Sequence, residues 1–170
     1  EEDAMRTRTW RRALVLTAAA GLLAGALPPA AGAGEGSRLS PAGRRLDRDL
    51  RAVAREVTRG EGHWTLQHRN VPVLVYAHEG HDRMRVVTPV ASVAELSPDD
   101  LWTLLEANYS KALDARYAIG DDLVWGLFVH PLSSLTREEL ASALDQVVAL
   151  KKNYGTTYAS TDKVFARRPE

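Results

Sequence analysis

The residues best equipped for chemistry lie together at His78-Glu79-Gly80-His81-Asp82. Imidazole nitrogens and carboxylate oxygens are the usual ligands of zinc, and a glutamate beside them can activate water. The run approaches the zinc-protease pattern H-E-x-x-H but is one residue short. That pattern needs both histidines on one helix face, four residues apart. Here Gly80 stands between the histidines in what reads as a turn between strands, so the helical geometry is missing. What remains is a simple surface metal site from His78, His81 and Asp82, helped by His68 across the hairpin. The plainer reading is a turn of solvated polar groups. A metal-dependent hydrolase built on His78 and His81 is therefore an alternative, and no metal or cofactor is assigned.

Nucleophiles are no better placed. The chain has no cysteine, which removes disulfides, thiolate catalysis and Cys-ligated zinc together. It has no G-x-S-x-G. Ser133 and Ser134 follow His130 closely, but Pro131 and the loop give no reason for a proton relay, and no acid is placed to orient the histidine. Asp99-Asp100 and Asp121-Asp122 are explained by a helix start and a turn. No glycine-rich loop precedes a helix to cradle a phosphate. The chain reads as a non-enzyme, with no catalytic and no cofactor-binding residue.

Composition bounds the partners. The 170 residues are 45% apolar, with 22 Lys+Arg against 22 Asp+Glu. Taking away residues 1–33 removes four arginines and three acids, so the remainder stays near neutral. Such a balance argues against bulk electrostatic binding of nucleic acid. At the N-terminus, Arg6, Arg8, Arg11 and Arg12 precede an apolar run from Ala13 to Leu27, then Pro28-Pro29 and Ala31-Gly32-Ala33. These are the three parts of a secretory signal peptide, with cleavage expected after Ala33 and Met5 as the start. The apolar run is shorter than the roughly 20 residues of a membrane-spanning helix. Arg11-Arg12 also loosely resembles a twin-arginine signal. The expectation is export across the inner membrane to the periplasm or beyond, with the membrane touched only through the signal peptide.

The elements that would hold any site follow in order. Residues 34–39 read as a flexible linker, 40–155 as one domain and 156–170 as a polar, frayed tail. Ser40-Pro41 opens a first helix, with Leu46, Leu50, Val53, Ala54 and Val57 on one face and glycines 60 and 62 ending it. Its other face carries Arg44, Arg48, Arg51, Arg55 and Arg59, interleaved with Asp47, Asp49 and Glu56. That is either a docking stripe for an acidic partner or a solvated face. Strands are expected at His63–Arg69, Val73–Ala77 and Met84–Ala91, with a turn at Asn70-Val71-Pro72 and a bulge or edge near Pro89. Ser97-Pro98-Asp99-Asp100 starts a second helix. Its apolar face would be Leu101, Leu104, Leu105, Asn108, Tyr109, Ala112 and Leu113. Strands at Arg116–Ile119 and Leu123–His130 flank a turn, and Thr136-Arg137-Glu138-Glu139 is a capping box for a third helix running to Gly155. The order α-β-β-β-α-β-β-α predicts an α+β two-layer domain, with an antiparallel sheet of about five strands and helices packed on it.

That order and its motifs resemble the type III secretion chaperone-like (CesT-like) fold, and more narrowly the bacterial YbjN-domain family. The residues that carry the resemblance are Asp82 to Val90, Leu104 to Tyr109, Ala112 to Ile119, and His130-Pro131-Leu132 with the capped helix after it. The resemblance implies a small α+β domain, often a homodimer, that binds other polypeptides, and it supplies no catalytic residues. An exported, uncharacterised protein-binding domain is the leading reading, with a structural cell-envelope protein as a further alternative. Trp64 and Trp125 are in phase with the apolar face of their strands and read as core. Trp102, Asn108 and Tyr109 on the second helix are the candidate partner or dimer contacts.

Overall fold

The computed structural model describes residues 39–161. The expected signal peptide, its cleavage point, the linker before Leu39 and the tail beyond Thr161 lie outside them. Helix α1 spans Pro41–Val53. It starts where the sequence says: the Ser40 hydroxyl accepts the Gly43 N–H at 3.1 Å, and Pro41 occupies the first turn, where its missing N–H costs nothing. Leu46 and Leu50 are buried from it.

The helix stops earlier than its pattern suggests. Ala54 is extended, and strand β1 runs Arg55–Arg59, a stretch expected to be the helix's last turns. Val57 continues the apolar spacing of Leu46, Leu50 and Val53, which is why the helix seemed to go on. The β-branched pair Val57-Thr58 favours the pleated state. Glu56, at φ 51, supplies a bulge in the pairing of Arg55 and Thr58 with β2, and Arg51 donates to the Val57 carbonyl at 3.0 Å. Arg55 and Arg59 therefore leave the supposed helical arginine stripe.

Strands β2 (His63–His68), β3 (Val71–His78) and β4 (Arg83–Ser92) follow as a meander. The β2–β3 turn is Arg69-Asn70, both left-handed at φ 48 and 63, as a two-residue hairpin requires. Val71 and Pro72, expected in that turn, belong to β3. Helix α2 (Pro98–Ser110) crosses to β5 (Arg116–Gly120) and β6 (Leu123–His130), and helix α3 (Arg137–Asn153) ends the set. The sheet is antiparallel with six strands in the order β1-β2-β3-β4-β6-β5. The fold is α+β as expected, with one strand more. The register shift in β4 falls between Pro89 and Ala91, where the proline forecast a bulge.

Side-chain alternation divides the sheet into two faces. Trp64, Leu66, Val73, Val75, Met84, Val86, Val124 and Phe128 are buried beneath the helices. Helix α3 packs across β4 and β6, its Leu140, Ala143, Leu144, Val147, Val148 and Leu150 all buried. Trp64 is core at 1% exposure, while Trp125 at 8% is buried on the opposite face, out of phase with Val124 and Phe128. The Trp125 indole donates to the Gly120 carbonyl at 2.8 Å, which satisfies its one polar atom on that face. The chain after α3 folds back: Ala159 and Ser160 are buried, and the Ser160 hydroxyl accepts the Leu113 N–H at 2.7 Å. This part of the tail is packed, not frayed.

Two aspartates pin α1 down. Asp47 accepts the Trp64 indole N–H at 2.8 Å and pairs with Arg51 at 3.0 Å; Asp49 pairs with Arg137 at 2.8 Å. The Arg51 hydrogen bond lowers the Asp47 pKa, and at Asp49 the Arg137 and Arg48 bonds outweigh the opposing effect of burial. Folding therefore favours both ionised forms. That stabilisation is complete above the ordinary aspartate range near pH ~4 and is lost as pH falls through the lowered values. The urea midpoint should drop as pH is taken below about 4, and the drop should be smaller in Asp49→Asn. A second outcome concerns close packing at Gly126, where an added methyl would lie 3.2 Å from the Val147 carbonyl and 3.3 Å from Thr88. Gly126→Ala should cost about 1–3 kcal/mol in the same assay, since the α3 backbone at Val147 would have to give by a few tenths of an ångström.

Candidate functional site

The histidine turn is a short 3-10 segment, Glu79–His81, between β3 and β4. His78 and His81 bring their rings to 4.3 Å, but Asp82 turns away from them. Its carboxylate accepts both the Ser133 N–H and the Ser133 hydroxyl at 2.7 Å, and these bonds lower its pKa. His68 does not help. It is the last residue of β2, paired with Val71 at the end of β3 away from His78, and its Nε2 lies 2.6 Å from Asp145 of α3. The four proposed ligands are thus split between two places and two other jobs. Among the described residues no cluster of three histidine or acidic side chains is arranged to hold a metal ion.

The serine–histidine pair fares similarly. An acid does stand near His130, contrary to the sequence reading: Glu139 is 3.7 Å from its Nε2. The other nitrogen bonds the Pro131 carbonyl at 2.8 Å, and the Ser133 hydroxyl is given to Asp82. Glu139 is itself the capping-box acid, accepting the Thr136 N–H at 2.7 Å. These groups close a corner of the fold where β4, β6 and α3 meet.

The surface that stands out is made by α2 and β5. Ser97 caps α2, and Asp100 completes a capping box by accepting the Ser97 N–H at 2.8 Å. Only Leu104 and Ala107 are buried from this helix. Leu105 and Tyr109, expected on the buried face, point outward with Trp102: the three are 63%, 93% and 66% exposed, and Ile119 of β5 is 58% exposed. Positions 102, 105 and 109 recur at helical spacing, so they form one stripe. Beside it Leu101, Leu104, Leu105, Tyr117, Ile119 and Val124 line an apolar groove of about 390 Å³.

Asn108 explains the rotation of α2. Its amide donates to the Tyr117 carbonyl at 3.0 Å and accepts the Tyr117 N–H at 2.7 Å. The side chain thereby does for β5, a strand at the edge of the sheet, what a neighbouring strand would do. Of the roles open to Asn108, tying the helix to a strand is the one its bonds fill, and its half-buried side chain also lines the groove. Tyr117 is held at its other end too. Its hydroxyl donates to the Leu150 carbonyl at 2.8 Å, and burial raises its pKa far above the tyrosine range. Gln146 adds a second tie, accepting the Asp114 and Ala115 N–H groups at 2.9 and 3.0 Å.

The sequence singled out Trp102 and Tyr109, which are exposed, but not the exposed Leu105 and Ile119 or the tie made by Gln146. One signal was available: Leu101, Trp102, Leu104 and Leu105 cover more of the helix circumference than one buried stripe needs.

No known family profile matches the sequence, and no curated protein matches it. Among solved structures, a chain of the HopA1–SchA chaperone–effector complex is similar, with a TM-score of 0.51 at 11% identity over 64% of this chain and 88% of that one. A chain of the ExsC–ExsE complex gives 0.49 at 16% identity, covering 65% and 94%. An uncharacterized protein from Methanothermobacter thermautotrophicus gives 0.49 at 11% identity, covering 67% and 94%. The first likeness shows the fold, an antiparallel sheet with helices of the kind in that chaperone–effector complex.

Replacing Asn108 tests the clamp. Asn108→Ala leaves the Tyr117 N–H and carbonyl without their partners and should lower stability by about 1–3 kcal/mol in urea unfolding. Amide hydrogen exchange at Tyr117 should quicken more than at Val86 in the sheet centre.

Proposed function

We propose that this chain is an exported, non-enzymatic protein-binding domain of the type III secretion chaperone-like class, related in pattern to the YbjN domain, and that it works as a homodimer joined through α2. The observation that carries this is the outward stripe of Trp102, Leu105 and Tyr109 with Ile119 beside it. Large apolar side chains grouped on a surface mark a contact, and tryptophan and tyrosine are the residues that most often dominate its energy. The stripe lies on a capped helix whose rotation is fixed by Asn108, so it is presented in one orientation.

Two further lines support the reading. The similar chain from the HopA1–SchA complex belongs to a chaperone–effector assembly, and polypeptide binding is the role that such a fold suggests here. Several candidate reactive side chains are also engaged: Asp82 and Ser133 bond each other, His68 bonds Asp145, and Glu139 caps α3, while His78 and His81 contact each other. Export rests on the arginine-led apolar segment and the A-G-A site in residues 1–33.

Sedimentation of the mature chain should give a dimer at micromolar concentration. Replacing Trp102 and Tyr109 by Ser should yield a monomer with an unchanged far-UV circular dichroism spectrum, because both side chains are exposed. Loss of two such anchors should weaken the dimer by roughly 100-fold or more. A wild-type chain that sediments as a monomer at tens of micromolar would sink the homodimer. N-terminal sequencing of the secreted or periplasmic protein should begin at Gly34.

A further inference from the structure

The sheet face turned away from the helices carries a second pattern. Cross-strand pairing aligns Thr58, Thr65, Leu74, Val87, Leu127 and Arg116 in one row over all six strands. A neighbouring row holds His63, Tyr76, Arg85 and Val129. On the other side lie Pro89, Trp125 and Ala118, with Arg55 opposite Gln67. The centre is aliphatic and the surround is basic: Arg55, Arg85 and Arg116, with Arg83 opposite His78 at the hairpin end.

No aspartate or glutamate pairs into these rows. Among the described residues, none of the four arginines bonds a carboxylate. Arg83 and Arg116 donate to backbone carbonyls, and the side chains of Arg55 and Arg85 make no internal bond or ion pair. The acid that acts on Tyr76 is Asp121, in the β5–β6 turn at the rim; burial and then its charge raise the Tyr76 phenol. On the helix side some arginines are matched by carboxylates, as Arg51 is by Asp47 and Arg137 by Asp49, while Arg44 and Arg45 reach backbone carbonyls. Among the described residues, no carboxylate bonds the arginines of this face.

We propose that this face binds an acidic, aliphatic-rich segment of another polypeptide. The inference rests on the reading of the chain as a protein-binding domain, but uses a surface separate from the α2 stripe. Apolar side chains of the segment would lie over Leu74, Val87 and Leu127, and its carboxylates would meet Arg55, Arg85 and Arg116. A single-stranded nucleic acid would also suit the charge. It would need well-exposed rings for stacking; Trp125 is 8% exposed, His63 and Tyr76 are half-buried with their rings 6.0 Å apart, and the residues between them and Trp125 are aliphatic. Polypeptide is therefore the favoured occupant. Five strand spacings make the face about 24 Å wide, which about seven extended residues cross.

The test is selection of phage-displayed random peptides, about twelve residues long so as to exceed that width, on the immobilised full chain. The selected peptides should be rich in Asp and Glu among Leu, Ile and Val. A synthetic representative should bind more weakly as salt is added, and more weakly again when its acids are replaced by amides. Arg55→Glu with Arg85→Glu, chosen because neither side chain makes an internal bond, should reduce affinity about tenfold or more while the circular dichroism spectrum is kept. Trp102→Ser with Tyr109→Ser should leave peptide binding intact. Selection without acidic enrichment, binding indifferent to the arginine pair or to amidation, or a preference for a twelve-nucleotide oligo(dT) would overturn the proposal. A dimer that persists through these results would show that only this surface assignment had failed.

Discussion

Two hydrogen bonds between Asn108 and the Tyr117 backbone set the arrangement on which the outer half of the molecule depends. Strand β5 is short and lies at the end of the sheet, paired only with β6. An edge strand leaves backbone donors and acceptors looking outward, and these are costly if buried and adhesive if left open. Asn108 answers both at Tyr117. The same contact fixes the rotation of α2. With position 108 turned to the strand, Leu104 and Ala107 fall into the core and Trp102, Leu105 and Tyr109 are directed outward. The apolar stripe is thus a consequence of how the edge is satisfied.

Tyr117 extends this control inward. Its hydroxyl reaches the Leu150 carbonyl of α3, and its ring meets Tyr154 and Tyr158 edge-on at 6.4 and 6.2 Å. One residue therefore joins α2 through its backbone and α3 and the returning chain through its ring. Gln146 and Ser160 hold the α2–β5 connection from the same side. The polar atoms in this region are matched, as low-dielectric surroundings require, so α2 is seated firmly although only two of its residues are buried. A firmly seated helix with an apolar outer face loses little conformational freedom on meeting a partner.

Much of this was legible in the sequence, and the boundary has physical causes. The helix starts were readable because caps are local: Ser40-Pro41, Ser97-Pro98 and Thr136 with Glu139 each use residues within one turn. The core of α3 was readable because its spacing is regular. Strand β1 was hidden, since Val57 falls at helical spacing from Val53, and a single apolar residue does not distinguish the two periods. Asn108 was ambiguous because its partner sits nine positions away across a connection that periodicity does not describe. The histidine turn misled in the opposite direction. Residue types suited to metal stood adjacent in sequence, yet Asp82 bonds Ser133 and His68 bonds Asp145. Local composition names the groups that could react, and long-range contacts decide which of them are free to.

The two sides of the sheet show what this division means for recognition. Because Asn108 occupies the β5 edge at Tyr117, backbone pairing is interrupted there, and a partner on this side is read through side chains. The side chains offered differ by place. The α2 stripe is apolar and aromatic, suited to a surface of the same kind, which is the basis of the symmetric dimer proposed above. The open sheet face is aliphatic with unmatched arginines, so it is unsuited to a copy of itself: like charges would be brought together. A self-complementary surface and a self-repelling one on the same small domain are compatible only if they meet different partners. On the assignments proposed above, the two contacts have no need to compete.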